Sequence, residues 1–198
     1  EYLHATVNSI VKALADTQTF LRSVFPQLCT LPQIPSEVTF VTSQELEDRW
    51  PDYTAKEREN AITKEHGVVF LMGIGGKLRS GKPHDGRAPD YDDWNLNGDI
   101  LFWDSVNGQA IELSSMGIRV NPEVLDRQLT LSGCDNRREL PFHKMLLNGQ
   151  LPQTMGGGIG QSRVSMLLLG KCHVGEVQSS LWDPQTIRAC EEAGVILL

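Results

Sequence analysis

The sequence predicts one compact α/β domain in which amphipathic helices are interspersed with short strands. Three observations support this prediction. The chain has 198 residues, 40% hydrophobic and 22% charged, which is the ordinary composition of a globular domain with a core. Apolar residues recur at helical spacing near the start of the chain, and apolar runs of strand length occur further along it. An Asn-Gly turn signal between two such runs predicts an antiparallel hairpin.

The first third of the chain carries clear signals for where its elements begin and end. Helical periodicity covers residues 2–25, and Pro26 ends that helix. The β-branched run at residues 38–42 is typical of a short strand. Two capping boxes predict helices that begin near residues 43 and 55, the second ended by Gly67. They are formed by Thr42 with Glu45 and by Thr54 with Glu57.

Three further runs are predicted as strands, and the last two of them form a candidate hairpin. The apolar run at residues 68–72 is of strand length, and residues 98–103 and 109–113 flank the Asn107-Gly108 turn signal. Asp99 and Glu112 are then expected to be cross-strand neighbours, offset in their pairing but within reach of one bridging cation, and to face the same cavity as Gly157 and Gly158. Such a pair repels itself unless a cation or a proton lies between the carboxylates. The alternative is a pair of exposed strand carboxylates with no ligand.

The segment between these strands, residues 77–94, is polar and charged, which predicts a loop. If its Asp-Tyr-Asp-Asp portion is extended, Asp90 and Asp92 lie on one face and Tyr91 and Asp93 on the other. A solvated turn without a ligand is the alternative interpretation of this composition.

The last third of the chain should be mainly helical. The Asn121-Pro122 pair predicts a helix through about residue 131, and a second helix is expected over residues 138–147. A strand is expected over residues 174–178, followed by a final helix from residue 184. The four cysteines are widely spread, and neither they nor the five histidines have the spacing of a zinc site, which favours free thiols.

The most informative stretch is the glycine-rich run 155–160 and the apolar helix predicted after it. Gly156, Gly157, Gly158 and Gly160 have no Cβ, so a ligand can approach the backbone closely there. Arg163 lies in the first turn of the helix, where a guanidinium can be aimed at a phosphate or an adenine ring. The run matches neither the phosphate loop Gly-x4-Gly-Lys-Ser/Thr nor the dinucleotide fingerprint.

Charge and hydropathy exclude several classes of partner. The net charge of −7 and the isoelectric point near 5.2 argue against a nucleic-acid partner, which usually requires a basic surface. No apolar run reaches the roughly 18 residues that a membrane span needs, and the chain starts without a signal-peptide pattern. These observations predict a cytoplasmic protein.

Three motifs in one order resemble a known family. Gly156-Gly-Gly-Ile-Gly-Gln-Ser-Arg163, together with the motifs at residues 112–119 and 87–94, is similar to the A-type aspartate–ammonia ligases, the ammonia-dependent asparagine synthetases. The likeness runs from about residue 38 to residue 182. It implies the α+β catalytic domain of class II aminoacyl-tRNA synthetases, a mostly antiparallel sheet flanked by helices. The chain would then be a single catalytic domain over residues 1–198.

The resemblance implies a reaction and its cofactors. L-aspartate would be activated by ATP with Mg²⁺ to a β-aspartyl-adenylate, and ammonia would convert the adenylate to asparagine and AMP. Positioning and electrostatics dominate such chemistry. The family forms homodimers through a motif in its N-terminal half, so the resemblance implies a homodimer for the full-length protein. That half has no counterpart in this chain. The family also carries a longer segment where Trp94 is followed by Asn95.

The resemblance also implies roles for individual residues. Asp99 and Glu112 would bind magnesium and ATP, and the glycine run with Arg163 would bind the nucleotide. Ser115 and Arg119 would contact substrate and phosphate, and Asp92 would face the ammonium or amide. Asp92, Arg119 and Arg163 are therefore the candidate catalytic residues. Two other interpretations stay open: another adenylate-forming ligase on this scaffold, and an inactive nucleotide-binding paralogue or fragment.

Overall fold

The computed structural model describes residues 1–198 and contains one five-stranded sheet. The strands are β1 (Thr39–Thr42), β2 (Val68–Met72), β3 (Asp92–Asp104), β4 (Gln109–Arg119) and β5 (Met155–Ile159), adjacent in that order. Only β1 and β2 are parallel, and every other neighbouring pair is antiparallel. The prediction of a mostly antiparallel sheet is confirmed.

The chain also forms seven α-helices. They are α1 (Tyr2–Val24), α2 (Ser43–Arg49), α3 (Ala55–His66), α4 (Pro122–Leu131), α5 (Pro141–Leu147), α6 (Gln161–Leu169) and α7 (Pro184–Glu192). Both capping boxes form, so α2 and α3 begin where the sequence predicted. Gly67 ends α3 with a φ of +78°, which a glycine adopts without steric cost. The Asn121 side chain accepts a hydrogen bond from the Val124 backbone N–H and caps α4.

The two faces of the sheet are packed differently. One face, with Phe70, Ile100 and Met116, is covered by α1 and α6 and forms the larger core cluster. On the other face, Leu71 and Leu101 pack with residues of α2 and α3 such as Leu46 and Ile62. Asp99 also lies on this second face, because it pairs with Leu71 in the sheet register.

Two predicted elements are corrected by the structure. The strand expected over residues 174–178 is a 3₁₀ turn at Val174–Glu176, because the Glu176 carboxylate accepts hydrogen bonds from the backbone N–H groups of Cys172 and His173. The helix expected over residues 138–147 is two elements, a 3₁₀ helix at Asp135–Glu139 and α5. Pro141 disfavours helical backbone at the preceding residue, so Leu140 is extended and separates them.

The hairpin of β3 and β4 forms, but its connection differs from a two-residue Asn-Gly turn. Residues 105–108 make a four-residue loop, in which only Gly108 has a positive φ, +66°. The Asp104 carboxylate accepts hydrogen bonds from the Val106 and Asn107 backbone N–H groups and fixes the loop. All four cysteines are free thiols, as predicted. None of the helices combines the length and the apolar character that crossing a membrane requires.

Candidate functional site

A cavity of about 470 Å³ lies between α3 and the β3–β4 hairpin. Most of its polar lining consists of charged side chains from five separate segments of the chain. These side chains are Lys56, Glu59, Asp85, Asp99, Glu112 and Arg163. The family resemblance implied that Asp99, Glu112 and Arg163 bind the nucleotide and its metal, and the fold brings all three to this cavity.

Asp99 is the most perturbed acid in the cavity. Its residue is only 5% exposed, and its Oδ2 is ion-paired with the Arg87 guanidinium, while its Oδ1 has no hydrogen-bond partner. Burial raises the pKa of Asp99 to about 6; Arg87 opposes this shift, and the nearby Glu112 carboxylate adds to it. A buried carboxylate oxygen without a partner is costly, and it is suited to receive a cation or a hydrogen-bond donor from a ligand.

Asp99 and Glu112 lie on neighbouring strands with an offset pairing, as predicted. Asp99 pairs with Ser115, and Glu112 pairs with Leu101, because the register shifts between Ile100 and Leu101. In a regular strand Glu112 and Ser115, three residues apart, would face opposite sides. The irregularity turns both to the Asp99 side, which is how a β-bulge redirects side chains. The two carboxylates therefore share the cavity for a reason that the turn signal did not contain.

Arg163 lies in the first turn of α6, as predicted, and its side chain is 52% exposed. Its Nη1 donates a hydrogen bond to the Glu112 carbonyl oxygen at 2.9 Å and lies 3.8 Å from the Glu112 carboxylate. Contacts with β4 thus orient the guanidinium, and the half-exposed head group lies at the cavity wall. This geometry suits an arginine that binds an anionic ligand.

Three glycines of the predicted ligand-binding run differ in their positions. Gly158 pairs with Ser115 on the cavity side of the sheet, and a Cβ built there would meet nothing within 4 Å. Gly157 pairs with Met116 on the opposite face, where a Cβ would lie 2.6 Å from the Met116 Cβ. The expectation that Gly157 faces the same cavity as Asp99 is therefore wrong, since neighbouring residues of a strand alternate between faces. Gly160 is the N-cap of α6, against the Arg163 side chain.

A second charged group lies further along the same face. Asp92 at the start of β3 pairs with Arg119 at the end of β4, both in register and through an ion pair. Arg119 also stacks on the Tyr91 ring, with its Cζ 3.9 Å from the ring centroid. Asp92 is 8% exposed, and burial raises its pKa, an effect that Arg119 partly offsets.

The predicted face assignment around Asp92 is wrong. Asp90 does not share a surface with Asp92; its carboxylate accepts hydrogen bonds from Arg137 and His143, at 2.8 and 2.9 Å. Tyr91 instead contacts the same guanidinium as Asp92. The segment before β3 is not extended strand, so the two-residue alternation assumed for it does not apply.

Sequence reasoning missed two residues that organise this region. Arg87 pairs with Asp99 from the charged loop, and only its place in a motif drew attention to it. Gln128 of α4 is fully buried and fixes the same loop through three hydrogen bonds. It donates to the Pro89 and Asp92 carbonyl oxygens and accepts from the Trp94 backbone N–H. No sequence signal marked Gln128, because a glutamine on a helix is usually exposed.

The acidic residues provide only a partial metal site. No group of three or more His, Cys, Asp or Glu side chains is placed to hold an ion. The unpartnered Oδ1 of Asp99 and the nearby Glu112 carboxylate fit a hard divalent cation that takes its remaining ligands from phosphate oxygens and water. Such partial protein coordination is typical of Mg²⁺ with a nucleotide.

The amino-acid sequence is similar to a family of known proteins over nearly its whole length. A family model described as aspartate-ammonia ligase matches residues 1–194. The aspartate–ammonia ligase of Clostridium perfringens (strain SM101) is 57% identical over 198 residues, which are the whole of this chain and 58% of that protein. The enzyme of Clostridium tetani is 59% identical over the same shares. The chain thus spans about 58% of the length of these curated relatives.

Solved structures show the same fold at low sequence identity. The Entamoeba histolytica asparaginyl-tRNA synthetase in complex with asparaginyl-adenylate superposes with a TM-score of 0.66 at 16% identity, over 89% of this chain and 43% of that one. The Pyrococcus horikoshii asparaginyl-tRNA synthetase with the same adenylate gives 0.59 at 16% identity, over 87% and 42%. These similarities confirm the predicted class II synthetase fold.

Proposed function

The chain belongs to the aspartate–ammonia ligase family, and we propose that it carries the catalytic centre for ATP-dependent amidation of L-aspartate by ammonia. The products are asparagine, AMP and pyrophosphate, formed through a β-aspartyl-adenylate. The observation that carries this proposal is the cavity in which the unpartnered Asp99 carboxylate oxygen lies with Glu112 and Arg163. Anion-binding and cation-binding groups are adjacent there, as a nucleotide with its metal requires.

In the proposed nucleotide complex, Arg163 and Arg87 bind the negative charge of the phosphates. The Glu112 carbonyl oxygen holds Arg163, and the Asp99 carboxylate holds Arg87. Both guanidiniums are therefore already oriented when negative charge develops on the phosphate oxygens. The open space at Gly158 lets the ligand lie directly on the backbone of β5. Gly157 has no part in this contact, and Gly160 contributes by capping the helix that carries Arg163.

Asp99 and Glu112 would hold Mg²⁺, which supplies neutralisation of the phosphate charge when it is bound. Binding a cation at the Asp99 Oδ1 also removes the cost of keeping that buried carboxylate ionised near Glu112. Ser115, next to Asp99 in the sheet register, lies where it can donate its hydroxyl to substrate or phosphate.

The ammonia step is assigned to Asp92. Ammonium must lose a proton before its nitrogen can attack the β-carbonyl carbon, and a carboxylate can both attract the cation and accept the proton. The raised pKa of Asp92 favours this role, since it makes the carboxylate a better base than an ordinary aspartate. The nitrogen then forms the amide bond as the bond between the acyl carbon and the AMP oxygen breaks. Arg119, paired with Asp92, would bind substrate from the same position.

The test measures asparagine, AMP and pyrophosphate from ATP, Mg²⁺, L-aspartate and ammonium chloride, using both this chain and the complete natural protein. The expected result is equimolar asparagine and AMP that require every component, with aspartate-dependent exchange of pyrophosphate into ATP when ammonium is omitted. Equal exchange with a panel of other carboxylic acids would identify a different adenylate-forming ligase. Nucleotide binding by calorimetry with no exchange in either protein would identify an inactive nucleotide-binding module instead.

A further inference from the structure

We propose that Gly117 and Gly156 are positioning residues, which fix the location of the Asp92–Arg119 ion pair by leaving no space for a side chain beneath it. The two glycines are partners in the register of β4 and β5. They lie on the face that carries Asp92 and Asn97, because Gly117 pairs with Asn97 on β3.

The distances show how closely the ion pair lies on these glycines. A Cβ built on Gly156 would be 2.5 Å from the Arg119 Nη2 and 3.1 Å from its Cζ. A Cβ built on Gly117 would be 2.7 Å from the Asp92 Cγ. Each added methyl group would therefore overlap one member of the pair, far inside normal van der Waals contact.

Backbone conformation does not explain these glycines. Neither Gly117 nor Gly156 has a positive φ, so an alanine could adopt the same backbone without strain. Glycine in a strand weakens the strand, and the compensating feature here is the close approach of a charged side chain. The need for space for the guanidinium and the carboxylate therefore explains why both positions are glycine.

Two contacts fix the Arg119 guanidinium: the ion pair with Asp92 and stacking on the Tyr91 ring, with its Cζ 3.9 Å from the ring centroid. A methyl group at Gly156 would move the guanidinium away from the backbone and alter both the stacking and the ion pair. The effect on the reaction rests on the proposed function of Asp92, whereas the effect on the ion pair does not. Misplacement of a binding group by about 1 Å costs on the order of 100-fold in rate.

The test compares Gly156→Ala with Gly158→Ala, two residues along the same strand on the same face, where a Cβ meets nothing. The Arg119 Nε–H proton resonance and the pKa of the Asp92 carboxyl are followed by NMR spectroscopy. In Gly156→Ala the proton resonance should shift and the pKa of Asp92 should rise by about one unit, as its cation moves away. In Gly158→Ala both should stay at their wild-type values.

Two further variants keep the outcome decisive. Gly156→Ala combined with Arg119→Lys removes the forked guanidinium that the methyl group would touch, so the alanine should change the Asp92 pKa less in that background. In the complete natural protein, Gly156→Ala should lower kcat/KM for asparagine formation roughly 100-fold. Gly76→Ala, at a site with open space and no positive φ, should leave it unchanged.

The inference is overturned if Gly156→Ala leaves the Arg119 resonance and the Asp92 pKa as they are in Gly158→Ala, or if both glycine variants shift them equally. Failure of the proposed function is distinguishable from this result. A wild-type protein that forms no asparagine would refute the activity while the NMR comparison still decides the role of the glycines.

Discussion

Replacing Asp99 with asparagine should remove part of the decrease in the free energy of unfolding that occurs as the pH rises. Burial of this carboxyl raises its pKa from 3.8 to about 6, so the folded protein binds the proton more tightly than the unfolded chain does. Between these two values the folded state carries more protons, and its free energy of unfolding falls as the pH rises. Asparagine cannot ionise, so Asp99→Asn should escape this loss.

The expected magnitude follows from the size of the shift. Each unit of pKa corresponds to about 1.4 kcal/mol, so the rise from 3.8 to about 6 corresponds to about 3 kcal/mol over the whole range. About 2 kcal/mol of this should appear between pH 4 and pH 6, with little further change beyond pH 7. The ion pair with Arg87 is already included, because Arg87 opposes the shift.

The assay is urea unfolding of wild type and Asp99→Asn at pH 4, 5, 6, 7 and 8 without metal or nucleotide. The quantity of interest is the stability of the variant minus that of wild type, in which groups common to both cancel. This difference should increase with pH. Glu57→Gln is the matched control of opposite sign: hydrogen bonds from Thr54 lower the pKa of Glu57, so its difference should decrease as the pH rises to about 4.5, the ordinary value, and stay level at higher pH.

A difference curve for Asp99→Asn that is flat between pH 4 and pH 7 would refute the reasoning. It would mean that the unpartnered Oδ1 is solvated or hydrogen-bonded in solution, contrary to its burial in the structure. A curve that decreases with pH would mean that Arg87 outweighs burial. Either outcome would also remove the electrostatic argument for a cation at this oxygen.

Three further predictions concern single residues. Arg163→Ala should weaken ATP binding about tenfold or more by calorimetry and leave the melting temperature unchanged, since its side chain is half-exposed; an unchanged dissociation constant would contradict its role. In the complete natural protein, Asp92→Asn should spare pyrophosphate exchange and raise the KM for ammonium. Loss of exchange with unaltered ammonium dependence would place Asp92 in adenylate formation instead. Gln128→Ala should destabilise the fold by about 2 to 4 kcal/mol in urea unfolding, because it leaves three hydrogen-bonding groups of the charged loop unpaired, and a loss below about 1 kcal/mol would contradict this.

Local signals in the sequence were sufficient for most element boundaries. The capping boxes at Thr42 and Thr54 and the Asn121 cap place three helix starts correctly, because each depends on side chains within three residues of one another. The predicted helix over 138–147 and strand over 174–178 failed where local chemistry competed, at Pro141 and at the Glu176 carboxylate. Such competition is visible in the sequence but its outcome is not.

Which side chains share a face was decided by the tertiary structure. Alternation along a strand can be read from sequence only while the register is regular, and β3 and β4 are irregular at two points. One irregularity turns Glu112 and Ser115 to the same side as Asp99, and the other does the same for Asp92 and Asn97. Bulges depend on the packing of neighbouring strands, so no short pattern announced them.

The sequence by itself determined the fold class, the place of Arg163 at the start of its helix, and the meeting of Asp99 with Glu112 in one region of the sheet. Only the tertiary structure separated Gly157 from Gly156 and Gly158, paired Asp99 with Arg87, and buried Gln128 beneath the charged loop. The physical reason is range. Caps, turns and helical periodicity are interactions among neighbours in the chain, whereas burial, pKa shifts and steric fit depend on residues that are brought together only by folding.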